Sequence, residues 1–342
     1  MRTLLRPCSL VLSLFFVAAA SVACEVDGDD PNLSECRGES CERSGGAPAR
    51  GAGPAPGEPA GDTPRHTPGS SPTGPEGTPS PSPTDGRGPS AAFTGNPYIG
   101  ASLFVNPDYQ AKVDTSIARA PGDAALLRKA REVSTALWLD RIAKLSALKP
   151  TLDRARADQD RLGKPVVSTL VVYDLPDRDC AANASAGELD SERGGLERYK
   201  TAFIDAIAAE LKARPNQRVS IVLEPDSLPN LVTNLNVPKC VKAAPVYREA
   251  VAYAIAKLSM PNVAIYVDAA HSGWLGWEDN TRKAAAIFKE VLDAAGGPDK
   301  IRGFITNVSN YTPLSVSGGD PHPPEYYESN PCRDELTFVQ RL

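Results

Sequence analysis

From Ala136 onward, short runs of aliphatic and β-branched residues alternate with longer stretches whose apolar residues recur at helical spacing. This alternation constrains the fold more than any other feature of the chain. The strands it predicts are Ala136 to Leu139, Ser168 to Tyr173, Val219 to Leu223, Val263 to Val267 and Arg302 to Thr306. Between them, Tyr199, Phe203, Ile204, Ile207 and Leu211 recur at helical spacing, as do Val251, Ile255 and Leu258, and then Phe288, Val291 and Leu292. Strands apolar along their whole length are buried on both faces. The pattern therefore predicts an α/β fold, a parallel sheet with helices outside, either doubly wound or closed as a barrel.

The residues just past each strand separate those two. The first strand runs into Asp140, the second into Asp174 and Asp179, the third into Glu224 and Asp226, the fourth into Asp268 and His271, and the fifth into Asn307 and Asn310. A barrel brings all such ends to one rim, whereas an open sheet gathers only those at its switch point. No Gly-rich phosphate loop succeeds any strand, which weakens the nucleotide-binding alternative and favours the barrel.

The chemistry available at these ends is acidic. Ser227 lacks the Gly-x-Ser-x-Gly elbow, the three histidines (His66, His271, His322) are dispersed, and no His or Cys pair in the folded part has metal-ligand spacing. Paired carboxylates are left, and two of them across one groove suffice to cut a glycosidic bond. Asp179 and Asp226 fit by position, a neighbouring charge and partial burial raising the proton donor's pKa. The bland alternative is that they cap helices or pair with Arg178. All three tryptophans, Trp138, Trp274 and Trp277, fall at or just after strand ends. Indole faces there suit the C–H faces of a sugar, although Trp138, inside a strand, could instead belong to the core. A Cys180–Cys240 bridge would tie together the loops carrying the two acids; the alternative is two buried free thiols.

The rest of the chain sets the context. Arg2 and Arg6 precede an apolar run from Leu10 to Ala20, which predicts an export signal over residues 1–23. Val22-Ala23-Cys24 resembles a lipoprotein cleavage box, so Cys24 is a candidate lipid anchor and free secretion its alternative. Residues 24–43 form a short segment in which Cys36 and Cys41 could close a loop. Residues 44–92 contain no Val, Ile, Leu, Met or aromatic residue and are expected to be a disordered Pro/Gly/Ser/Thr-rich spacer. Residues 93–342 are left as the domain. A net charge of −5 with interspersed signs offers no basic stripe for nucleic acid and allows a neutral partner.

The segment Val171-Val172-Tyr173-Asp174-Leu175-Pro176-Asp177-Arg178-Asp179-Cys180-Ala181-Ala182 resembles glycoside hydrolase family 6, the cellobiohydrolase II and endoglucanase family. The likeness continues through Leu223-Glu224-Pro225-Asp226-Ser227-Leu228, Asn230 to Leu235, Tyr266 to Trp277 and Thr306 to Tyr311. It implies a distorted, incomplete parallel (β/α) barrel that hydrolyses β-1,4-glucan, a polysaccharide, with inversion, as a monomer and with no metal or organic cofactor. By matching position, Asp226 is the general acid, Asp179 the carboxylate supporting it, Tyr173 lies beneath the sugar and Ser185 near the attacking water. Trp138, Asp140, His271, Trp274 and Trp277 match substrate subsites; Arg178, Asp268, Asn307 and Asn310 are grouped with them as substrate-binding. Cys180 and Cys240 match a family disulfide. An inverting pair is expected to stand roughly 6.5 to 9.5 Å apart.

The family continues past Asn310-Tyr311 through further strands, whereas this chain stops at Leu342. The expectation is a barrel lacking its last strands, with exposed sheet edges and with Cys332 deprived of a partner. The competing expectation for function is an inactive glucan-binding remnant.

Overall fold

A computed structural model describes residue 93 and residues 95–182, 184–316 and 329–342. The export signal, Cys24, the Cys36–Cys41 segment and the Pro-rich spacer lie outside the described residues. Six strands pair in one sheet: β1 (Ser102–Leu103), β2 (Leu137–Leu139), β3 (Val166–Val172), β4 (Arg218–Leu223), β5 (Val263–Asp268) and β6 (Gly303–Ile305). Every pairing is parallel. On one side β3 lies against β4; on the other, β1 covers Val166 and Val167 while β2 covers Leu170 to Val172. From β3 the order runs β4, β5, β6 without reversal. Strands added always on the same side wind toward a barrel, whereas a doubly wound sheet reverses at a switch point. Among the described residues the sheet stays open, an incomplete barrel as expected.

The five strands predicted from sequence are all present, with ends shifted by no more than two residues. β1 was not foreseen. It is two residues long and carries no periodicity, and its pairing with β3 is what makes it a strand.

Helices fill the intervals. α1 (Pro107–Arg119) starts where the Asn106 side chain accepts the Asp108 N–H and Pro107 supplies a preset φ. α2 (Ala124–Arg131) precedes β2, and α3 (Leu148–Leu162) stops at left-handed Gly163 before β3. α4 (Gly195–Arg198) and α5 (Asp205–Lys212) flank a π-helical turn, Tyr199–Ile204. α6 (Ser227–Thr233) and the long α7 (Pro238–Leu258) follow β4. α8 (Ser272–Leu275) and α9 (Glu278–Ala294) follow β5, and α10 (Glu335–Arg341) closes the described chain.

The predicted helix faces are the core. Tyr199, Phe203, Ile204, Ile207, Leu211, Val251, Ile255, Leu258, Phe288 and Val291 are buried with Leu170, Ile221, Leu223 and Val267 of the strands in one cluster. Each large apolar side chain so removed from water contributes about 1.5–3 kcal/mol. Among the described residues no helix is long and apolar enough to cross a membrane.

Candidate active site at the carboxyl rim of the sheet

Every non-glycine residue with a left-handed backbone among the described residues lies in a segment that follows the carboxyl end of a strand. Asp177, Asp179 and Ser185 follow β3, Glu224 and Asp226 follow β4, Ala270 follows β5 and Asn307 follows β6. Such conformations cost of order 1–3 kcal/mol and persist where surrounding contacts enforce them. Four of the seven are Asp or Asn, whose short polar side chains tolerate this region best. The loops that bear the acids are thus the strained part of the molecule.

Asp226, at φ 60°, forms the junction between β4 and α6. Its N–H donates to Asp268 Oδ2 (2.9 Å), and Asn230 Nδ2 donates to its carbonyl oxygen (2.6 Å). The carboxyl group is pushed up to about 6, first by burial and then by the charge of Asp179, while a hydrogen bond with Ser309 opposes the rise. Asp179 itself is raised by burial, against the hydrogen bond it accepts from Tyr173 and the positive charges of Arg178 and Lys239. Tyr173 responds to both aspartates, and its phenol is held far above its ordinary value by burial and by the bond to Asp179. These three groups therefore share one electrostatic environment.

Trp138 is 41% exposed, which excludes the core role left open for it. Its ring meets Tyr173 edge-on, with centroids 5.8 Å apart. His271 and Trp274 are tilted neighbours at 6.1 Å. Trp274 Nε1 donates to Thr233 Oγ1 (2.8 Å) and Trp277 Nε1 to Ser329 Oγ (3.1 Å). Gly276, between the two indoles, is required by close packing: a Cβ there would stand 2.6 Å from Asn330 Oδ1, whose side chain binds Ser272 O and Cys332 N–H. Asp140, half-buried at the end of β2, lies 3.5 Å from Arg141 Nε, and Ser185 is exposed.

Three residues grouped with the substrate contacts turn inward instead. Arg178 donates to the carbonyl oxygens of Ser185 (2.9 Å), Asp140 (2.7 Å) and Tyr173 (2.5 Å), with its guanidinium 4.2 Å over the Tyr173 ring. A planar fork with several donors suits this task, and it leaves little for a ligand. Asp268 is 1% exposed and accepts the N–H groups of Asp226 and Ala270. Burial pushes its carboxyl up to about 7 against those bonds. Asn307 exchanges hydrogen bonds with Thr312. All three hold rim backbone in shape.

Cys180 and Cys240 form a disulfide. Because Asp226 leads straight into α6, Cys240 falls in the first turn of α7, so the bridge ties the β3 loop to a helix rather than to a second loop. Cys332 is buried and carries a free thiol.

Beneath the rim lie two further acids whose roles sequence did not suggest. Glu224 is fully buried; its Oε1 accepts from Tyr199 Oη (2.8 Å) and from the Asp174 N–H (3.3 Å). The π-helical turn begins at Tyr199, the residue whose hydroxyl reaches this acid. Burial pushes both Glu224 and Asp174 up to about 8, and Glu224's charge adds to the shift of Asp174. Ser309 and Glu335 were also missed. Ser309 stands 83 positions along the chain from Asp226 and Glu335 64 from His271, separations at which no sequence spacing signals contact.

Among the described residues no group of three or more His, Cys, Asp or Glu is placed to hold a metal ion. A concavity between α7 and α9, lined by Lys200, Pro245, Tyr253 and Val291 among others, sits on the helix layer and includes no strand-end residue.

The model of the glycosyl hydrolases family 6 matches residues 98–342. The chain belongs to that family. It is similar to the 1,4-beta-D-glucan cellobiohydrolase CEL6B of Podospora anserina, with 46% identity over 66% of this chain and 56% of the relative. Among solved structures it resembles the catalytic core domain of the cellobiohydrolase Cel6A from Chaetomium thermophilum. There the identity is 42% and the TM-score 0.69, over 73% of this chain and 69% of that one. It also resembles the endoglucanase CEL6B of Humicola insolens at 37% identity and TM-score 0.67, over 72% and 71%. The chain spans about half the length of the curated relatives it matches. Within family 6, the rim just described is the surface on which chemistry has to be sought.

Proposed function

We propose that this chain hydrolyses β-1,4-glucosidic bonds of cellulose or a related β-glucan with inversion at the anomeric carbon, acting as a monomer on a polysaccharide chain laid across the rim. The observation that carries the proposal is Asp226: a rim carboxyl raised from the ordinary carboxylate range to about 6, so that it keeps its proton in weakly acidic solution, below about pH 6. In the proposed step Asp226 gives that proton to the glycosidic oxygen as the bond to the anomeric carbon breaks. A water attacks the opposite face near Ser185 and passes one of its protons to the surrounding solvent, yielding the α-anomer. Asp179, bonded to Tyr173, supplies negative charge to the developing oxocarbenium ion and keeps Asp226 protonated. Trp138, Trp274 and Trp277 offer indole surface for pyranose rings, with Asp140, His271 and Asn310 as polar contacts. Arg178, Asp268 and Asn307 serve by shaping the loops.

Family membership supports a glycoside substrate, and the names of the similar proteins, cellobiohydrolase and endoglucanase, support β-1,4-glucan. The same proposal places the catalytic unit at residues 93–342, outside the cytoplasm behind an export signal, either released or lipid-anchored through Cys24, with residues 44–92 as the spacer.

The test is proton NMR of the first product released from a soluble cello-oligosaccharide. Appearance of the α-anomer first, abolished by Asp226→Asn, is expected. The β-anomer first overturns inversion, and equal near-zero rates for both proteins, with binding retained, identify a glucan-binding remnant instead.

A further inference from the structure

His271 and Glu335 each carry one buried hydrogen-bonding atom that is unmatched among the described residues. Asn310 Oδ1 accepts the Tyr311 N–H (2.7 Å), which fixes the amide so that its Nδ2 faces His271 Nε2 at 2.7 Å. An amide nitrogen only donates, so Nε2 must accept, and the proton of neutral His271 is on Nδ1. That Nδ1 is buried and has no hydrogen-bond partner among the described residues. On the neighbouring side, Glu335 is 2% exposed and its Oε1 lies 2.7 Å from the N–H of Ser272, the residue next to His271, and 2.6 Å from Thr312 Oγ1. Its other oxygen, Oε2, is a buried acceptor that also lacks a partner among the described residues. A stranded donor thus stands on His271 and a stranded acceptor on the acid that binds the N–H of its neighbour Ser272, and leaving either unmet costs about 1–3 kcal/mol.

We propose that Glu335 is a positioning residue: through Oε2 it holds the Nδ1–H of His271 across one water, so that Nε2 and the Asn310 amide are kept aimed along the rim. α10, which carries Glu335, would then be wired to the site. Burial lowers the pKa of His271 while the charge of Glu335 opposes that fall, in keeping with their closeness. The tautomer stands on geometry alone; only its kinetic consequence rests on the hydrolase reading.

The test is long-range ¹H–¹⁵N NMR of the imidazoles in the full chain at a pH where His271 is neutral, its signals assigned with His271→Asn. The wild type is expected to show His271 protonated at Nδ1. Glu335→Gln presents an amide N–H to that water and is expected to drive the ring proton to Nε2. With soluble β-glucan it should lower kcat/KM about tenfold, the effect of one weakened contact near 1.4 kcal/mol. If Glu335→Gln fails to fold, Asn310→Asp, at an exposed position, places acceptors on both sides of the ring and should raise the His271 titration midpoint. A wild-type ring protonated at Nε2 overturns the proposal. So does an Nδ1–H tautomer that survives Glu335→Gln, or an unmoved midpoint in Asn310→Asp. The expected tautomers in a chain that releases no sugar would leave the positioning intact and refute the hydrolase reading alone.

Discussion

At their amino ends β3, β4 and β5 are each met by a buried neutral amide. Gln159 accepts the Val166 N–H and donates to Asn216 O, Gln217 donates to Leu152 O, and Asn262 donates to Arg214 O and Gln217 O. At their carboxyl ends the same three strands run into Asp174, Glu224 and Asp268, all buried and all held well above the usual carboxylate range. Left-handed non-glycine residues, seven among those described, occur only at the second end. One end closes the strands with neutral amides, and with Arg218 at the start of β4, whose bonds go to backbone. The other stores strain and undischarged acidity. In a parallel sheet with helices outside, this asymmetry separates the end that stabilises from the end that acts.

That division is broken if substitutions at the two ends have interchangeable effects. Asp226→Asn should lower turnover on soluble β-glucan by about 10²–10⁴-fold, the range for loss of a positioned proton donor, with its melting temperature retained. Loss of the Cys180–Cys240 bridge, separated by 60 residues, through Cys→Ser at both positions should reduce unfolding free energy by roughly 4 kcal/mol on the chain-entropy model. Denaturant titration measures it. Asn262→Ala at the amino end should cost about 1–3 kcal/mol of stability by leaving carbonyl groups unmet, with kcat unchanged; a fall in kcat without a stability loss contradicts the division.

Two finer tests use pH. Asp226 works protonated, so activity should fall as pH rises through about 6. Asp179→Asn removes a charge that raises Asp226, and its alkaline limb should move to lower pH; an unmoved limb breaks the coupling. Glu224, raised to about 8 when folded, takes up a proton on folding between its unfolded value and 8. Stability must therefore decline as pH rises across that window. Thermal scans of Glu224→Gln should show a shallower decline than the wild type.

Much of this was legible before any coordinates. Short continuous apolar runs and helical spacing located five strands and three helix faces, because burial writes itself into neighbouring residues of a regular element. The acids after each strand, with Trp138, Trp274 and Trp277, marked the rim for the same local reason. Illegible were β1, which exists only as a partner of β3, and the inward turn of Arg178, Asp268 and Asn307. Whether a charged side chain faces a groove or a carbonyl oxygen is decided by loops that meet from distant parts of the chain.

Sequence by itself determined the element order, the parallel α/β class, the family and which residue types crowd the strand ends, since all of these depend on side chains a few positions apart. Tertiary structure alone decided which acids keep their protons, that Glu224 accepts the Asp174 N–H, that Cys240 bridges from a helix, and that Glu335 binds the N–H of Ser272, next to His271. Desolvation and unmet hydrogen bonds are properties of a place in the fold, and that place is assembled from segments that no local pattern connects.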